Sequence, residues 1–360
     1  MRKPTILVAG ASGKTGSATV LALLGRGFPV RALFRAADRR SEALARQGAE
    51  AVVGNLNDLA DLRRALDGVQ RAYFCPPWAP GSLATGATFA VAAQEKRLEV
   101  VVVMSQWLAD PLNRSIHSRE TWLADRVFSW IPDVDTVFVN PGWFADNYMA
   151  ALGMIAQLGM MVMPLGQGLN APPSNEDIGS VVAGILADPA PHIGRSYRPT
   201  GPALLSPNDI AEAFGRALGR RVVYRDAPIR LFSKVAKSLG YPDYQIAQIQ
   251  WYFEEYKRNA FGLGGPTDVV RSIGGREPED FETTVRRYAA SAGDMRRGLG
   301  PAIKALLALA KAMLTPAPDL EAFDRTHDFP RLLNATLAVE SAEWAGSHTP
   351  KVEVDASQSS

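Results

Sequence analysis

The chain is poor in the residues that staple small folds or bind metals. Its 360 residues contain one cysteine, Cys75, and four histidines, His117, His192, His327 and His348. A lone thiol forms no internal disulfide, so the chain reads as cytoplasmic. One Cys with four scattered His offers no zinc-ligand spacing, and no metal site is expected. Charge of one sign is scarce as well, since 39 basic and 37 acidic side chains leave a net +2. That balance supplies no basic field of the kind that draws nucleic acid. Long apolar runs are missing. Arg2-Lys3 leads only into Ile6-Leu7-Val8-Ala9, too short for a signal-peptide core. Ala305–Leu314 is interrupted by Lys311 and too short to span a bilayer. No membrane partner is expected. What is present is ordinary globular composition, 47% apolar and 21% charged, enough for one large domain or two modest ones.

The first 140 residues alternate short apolar runs with helical patterns. The runs are Thr5–Ala9, Val30–Phe34, Ala51–Val53, Ala72–Cys75, Val100–Met104 and Thr136–Val139. None shows polar alternation, as strands buried on both faces should not. Helices are predicted near Lys14–Leu24, Arg40–Arg46, Leu59–Leu66, Ala87–Glu95 and Arg119–Trp130. This βαβα rhythm predicts an α/β fold, a doubly wound parallel sheet of Rossmann type over residues 1–150. Residues 151–294 read as a smaller, mostly helical lobe covering the strand ends. Ser174 and Ser206-Pro207 open helices there, Arg221–Tyr224 reads as a strand, and aromatics crowd 228–292. Residues 295–360 look appended, with an amphipathic helix at Ala302–Leu314 expected to pack on the body or on a partner subunit, and a frayed Asp355–Ser360. A homo-oligomer stays open.

Gly10-Ala11-Ser12-Gly13-Lys14-Thr15-Gly16 follows a buried strand and opens a helix. Gly10 allows the tight turn, Gly13 the approach of a pyrophosphate to backbone N–H groups, and Gly16 close helix–sheet packing. A P-loop would need glycine five residues before Gly13, where Val8 stands. A nucleophile elbow would need glycine where Lys14 stands. A dinucleotide is the better reading. At the end of the second strand NAD would call for an acid, whereas here Arg31, Arg35, Arg39 and Arg40 surround one Asp38. Arginine suits the 2′-phosphate of NADP, so NADP(H) is expected over NAD(H). A solvated basic turn is the alternative.

These landmarks, with Gly54-Asn55-Leu56-Asn57-Asp58, Phe74-Cys75-Pro76-Pro77, Met104-Ser105 and Asn140-Pro141-Gly142-Trp143-Phe144, resemble the NmrA-like family of atypical short-chain dehydrogenases/reductases over residues 4–292. The resemblance implies Asn55 and Leu56 near an adenine, and Pro76, Pro77, Ser105, Pro141, Gly142, Trp143 and Phe144 on the nicotinamide side. Ser12, Lys14 and Thr15 complete the cofactor set with the three glycines. Trp78, Trp107 and Tyr148 also follow strand ends, where aromatics suit a flat apolar substrate or form plain core. The wider superfamily's Tyr with Lys four residues on is missing, because no lysine lies between Lys96 and Lys234. Ser105 and His117 remain as candidate catalytic groups, His117 as a proton donor or as an unremarkable helix-entry residue. The expectation is an NADPH-dependent oxidoreductase acting on an apolar carbonyl or quinone. A non-catalytic NADP(H)-binding sensor, and a lyase, epimerase or dehydratase with tightly bound cofactor, are the alternatives.

Overall fold

The computed structural model describes residues 3–291, 298–320, 322–323, 327 and 329–349. The expected Asp355–Ser360 tail lies outside them. The strands are β1 Ile6–Ala9, β2 Val30–Phe34, β3 Glu50–Val53, β4 Arg71–Phe74, β5 Val100–Met104, β6 Asp135–Val139, β7 Met160–Met163, β8 Ser196–Tyr197 and β9 Val223–Asp226. Seven of them form one parallel sheet in the order β3-β2-β1-β4-β5-β6-β8. The doubly wound sheet expected from the rhythm is therefore present. Alternate residues of each strand feed opposite faces, which is why no strand shows polar alternation. Ile6, Val8, Tyr73, Val100 and Val102 pack with Ile178, Val182 and Ile185 on one face. Leu7, Ala9, Phe74, Val101 and Val103 pack with Leu62, Phe89 and Phe128 on the other.

Helices α1 Lys14–Gly25, α2 Arg39–Arg46, α3 Leu59–Ala65, α4 Ser82–Glu95 and α5 Ile116–Trp130 follow the first five strands. α4 begins five residues before the expected Ala87 because Gly86 is a contact rather than a break. A Cβ there would stand 3.1 Å from that of Ala124 on α5. The chain beyond 150 serves both units: helix Asn175–Ala187 packs on α1, and β8 joins the main sheet beside β6. Gly179 permits that crossing, since its Cβ would meet Ala18 and Thr19 backbone atoms at 2.8 Å. The lobe has its own aromatic core, which includes Trp143, Tyr148, Phe214, Phe253, Tyr256, Phe261 and Trp344. β7 pairs with β9 beside it.

Helix Leu299–Leu314 lies against helices Ile229–Ser238 and Leu152–Leu158. It buries Ala305 and Ala312 and leaves Leu299, Ile303, Leu306, Leu307 and Leu314 exposed. No described helix is long and apolar enough to cross a membrane.

Candidate functional site

β1 and β4 are neighbours whose following segments leave toward opposite faces, so a crevice opens at their carboxyl ends. Gly10 sits there with φ +79°, and a Cβ on it would lie 2.4 Å from the Cys75 carbonyl oxygen. A Cβ on Gly16 would lie 2.2 Å from the Gly10 carbonyl. Gly16 therefore seats the first turn of α1 on its own loop, which corrects the expectation of helix–sheet packing. Gly13 has ordinary φ, and its Cβ would meet only the Gly10 oxygen at 3.3 Å. The space on its outer side is left open. No side chain caps α1 and its first turn holds no acid, so its N-terminal N–H groups and the positive end of its dipole are unanswered. An anionic pyrophosphate fits that cradle.

Around the cradle, Ser12 accepts a 3.4 Å hydrogen bond from Arg40 at its carbonyl. Arg40 itself pairs with Asp38, which is the N-cap of α2. Asp38 thus answers a helix terminus. Arg35 is exposed just past β2, and the described residues give it no partner. Arg31 is spent at the opposite end of the strand, on Glu50 at 2.9 Å and on the carbonyls of Ala65 and Asp67. Asn55 is exposed past β3, its side-chain oxygen accepting from the Asn57 N–H, and Leu56 is half-buried beside it. Lys14 is tied to Asp146 at 2.7 Å, and Thr15 donates to Asn175 at 2.7 Å.

Beyond Thr15 the crevice deepens into a cavity of about 240 Å³. Thr15, Cys75, Pro76, Ser105, His117, Pro141, Gly142, Trp143 and Phe144 line it, with Trp78, Trp107 and Tyr252. Pro77 turns outward and Tyr148 is committed to the lobe core through Tyr256 and Asn170, so neither belongs to the cavity. Burial pushes the Cys75 thiol up to about 11, which leaves it un-nucleophilic. Ser105 is bonded on two sides, to Asp125 at 2.5 Å and from the Asn140 amide at 3.0 Å. His117 packs between Trp78 and Tyr244, its Nδ1 buried without a partner. Burial pushes its pKa down to about 4, so at neutral pH it is uncharged. The proton-donor role expected for it is not that of an imidazolium.

The NmrA-like family model matches residues 2–111 and 134–285. The chain belongs to the NmrA-like family. Among its relatives, the NAD(P)H azoreductase of Xenophilus azovorans is 27% identical over 293 residues, 80% of this chain and 99% of that protein. The NADPH-dependent quinone oxidoreductase of Escherichia coli, solved with NADPH, superposes with a TM-score of 0.67 at 20% identity, covering 79% of this chain and 98% of that one. NmrA, a negative transcriptional regulator solved with NADP, does so with a TM-score of 0.67 at 21% identity, covering 82% and 99%.

The family match does not cover everything at the cavity. The matched segments leave out 112–133, the stretch that carries His117 and Asp125. Asp125, Asn140, Gln106 and Tyr252 are site groups that sequence reasoning missed. Gln106 accepts from Tyr252 and from Ser118 while donating to Thr121 at 2.7 Å, which fixes the cavity floor. Asp125 had a signal: it shares a helix face with Thr121 and Phe128, an acid on a stripe that turns inward. Tyr252 was visible only as one of the aromatics crowding 228–292, and its place at the cavity comes from a helix far along the chain.

Proposed function

We propose that this protein is an NADPH-dependent oxidoreductase that reduces a flat, apolar acceptor, a quinone or an aromatic carbonyl. The observation that carries this reading is the cavity: it adjoins the glycine cradle through Thr15 and is walled by Trp78, Trp107, Trp143, Phe144, Tyr252 and Phe261. Rings of that kind exclude water and hold a planar guest by its faces. The N–H groups at Gly13–Gly16 would hold the pyrophosphate, Arg35 the 2′-phosphate, Asn55 and Leu56 the adenine, and Pro76, Ser105 and Pro141–Phe144 the nicotinamide side. When bound, the reduced nicotinamide supplies a hydride. The chain's own contribution is placement, which by itself lowers barriers by several kcal/mol, roughly 7–11 in the best-oriented cases. Ser105 adds a hydroxyl for the oxygen that gains charge.

The test is NADPH consumption across a panel of quinones and aromatic carbonyls, beside a direct NADPH and NADH binding titration. Acceptor-dependent oxidation of NADPH is expected. Tight NADPH binding with no turnover on any acceptor would instead identify a dinucleotide-responsive regulator, the reading that the absent Tyr–Lys pair favours.

A further inference from the structure

Ser105 stands in a wall between two cavities. The inner one holds the aromatic rings. The outer one, about 370 Å³, is lined by Asp125, Arg126, Asn140, Arg198 and His348, among others. Its rim is exposed at Arg126, Ser196, Glu343 and Ser347, so solvent reaches it. Asp125 is only 7% exposed, with Oδ2 at 2.5 Å from Ser105 Oγ and Oδ1 buried without a hydrogen-bond partner. The Ser105–Asp125 contact therefore crosses from the ring-lined cavity to the polar one.

Counting donors decides what the contact does. A hydroxyl has one proton and two lone pairs. The Asn140 amide donates to one lone pair of Ser105 at 3.0 Å, and to the Gln106 carbonyl at 3.4 Å. When Asp125 is ionised, the Ser105 proton points at it and Ser105 offers nothing to the inner cavity. When Asp125 is protonated, its own O–H fills the second lone pair. The Ser105 proton is then left pointing toward the cavity that Ser105 lines.

Building on the oxidoreductase reading, we propose that Asp125 is the proton store of the reaction, passing its proton through Ser105 to the acceptor and recovering it from solvent through the outer cavity. As the acceptor takes up hydride from the reduced nicotinamide, its oxygen gains the two electrons as negative charge. The Ser105 O–H bond breaks toward that oxygen, the Asp125 O–H bond breaks toward Ser105, and Asp125 is left as carboxylate. A proton from the outer cavity then restores the carboxyl, and a turn about Cβ–Cγ brings it to the oxygen that faces Ser105. One hydride and one proton are consumed for each acceptor. Burial favours the protonated carboxyl, holding Asp125 up at about 7. The charged and titratable groups facing it are Arg126 on its own helix, Asp110 after β5, Arg198 after β8, and Glu343 and His348 of the C-terminal helix. Of these, His348 is buried and uncharged at neutral pH. Asp125 does not touch the acceptor, so it acts as a positioning and supply residue behind Ser105.

Two measurements test this. Infrared spectra of the protein without cofactor or acceptor should show a protonated-carboxyl band that Asp125→Asn removes and that fades as pH rises through neutrality. With NADPH and a 1,4-naphthoquinone, kcat should fall about tenfold per pH unit above that point. In Asp125→Asn it should lose this dependence and drop on the order of 10²-fold at pH 6, with KM for the quinone nearly unchanged. Ser105→Ala should flatten the profile in the same way, and it serves should Asp125→Asn not fold. Wild-type pH dependence in either variant, or no band that depends on Asp125, overturns the relay alone. A titrating band with no turnover on any acceptor overturns the oxidoreductase reading and the relay together.

Discussion

At the scale of single residues, the three loop glycines answer to different constraints and should fail differently. Gly10 and Gly16 would drive a Cβ to 2.4 and 2.2 Å of backbone oxygens, so alanine at either should cost stability. Gly13 carries no such clash. Gly13→Val should fold, with an unfolding midpoint near wild type, yet lose NADPH in a titration, because its side chain occupies pyrophosphate space. Arg35 has no described partner to lose, so Arg35→Ala should leave stability within about 0.5 kcal/mol. The same change should weaken NADPH by roughly one to two decades and leave NADH almost untouched. Equal loss of both cofactors in parallel titrations would remove Arg35 from the phosphate site. The sequence already singled out Arg35, as the residue that closes the second strand, and the structure adds that Arg31 is spent at the other end of β2.

At the scale of elements, the described segment 329–349 is clamped rather than trailing. Glu255 is fully buried and accepts from the N–H groups of Ala338 and Val339 and from Asn113. Trp344 enters the lobe core and donates to the Trp107 carbonyl at 2.7 Å, behind a ring that lines the inner cavity. Glu255→Gln keeps the shape but turns an acceptor into an NH₂ facing donors. Unsatisfied buried donors cost about 1–3 kcal/mol each. The expected outcome is faster proteolytic cleavage between residues 315 and 349, with a small loss in global stability. Cleavage at the wild-type rate would show that Trp344 holds the segment without Glu255. The sequence marked this region as appended, but could not say where 329–349 docks. Its anchors are one acid on a distant helix and one tryptophan.

At the scale of the whole molecule, buried titratable groups set opposing pH slopes. Burial holds Asp125 and Glu255 up at about 7, so the fold keeps protons that the unfolded carboxyls release. Their contribution is full at low pH and is lost as pH rises toward 7. His117 and His348 are pushed down to about 4 and about 3, so the unfolded chain binds protons that the fold refuses below the ordinary 6.5. Their contribution is full above 6.5 and is lost as pH falls. These two pairs oppose one another between roughly pH 4.5 and 6.5. Removing one carboxyl tilts the balance. Denaturant titrations of Asp125→Asn at several pH values in that window should show stability rising relative to wild type by about 1.4 kcal/mol per pH unit. A difference that does not change with pH would mean that Asp125 is ionised in the fold.

Also at this scale, the division between what the sequence determined and what the fold decided follows the range of the forces. Burial of both faces of a strand, the φ of Gly10 and the uncapped start of α1 are local properties, and they are written in runs of four to seven residues. They specify the parallel sheet and the anion cradle. The chemistry behind Ser105 is not local. Asp125 reaches it from the next helix, Gln106 takes a bond from Tyr252, 146 residues away, and Trp344 props Trp107 from 237 residues away. No spacing rule links such residues, because packing brings them together only after sheet, lobe and C-terminal segment have closed on one another. The same burial holds the proton on Asp125 and denies one to His117, a distinction absent from either residue's identity.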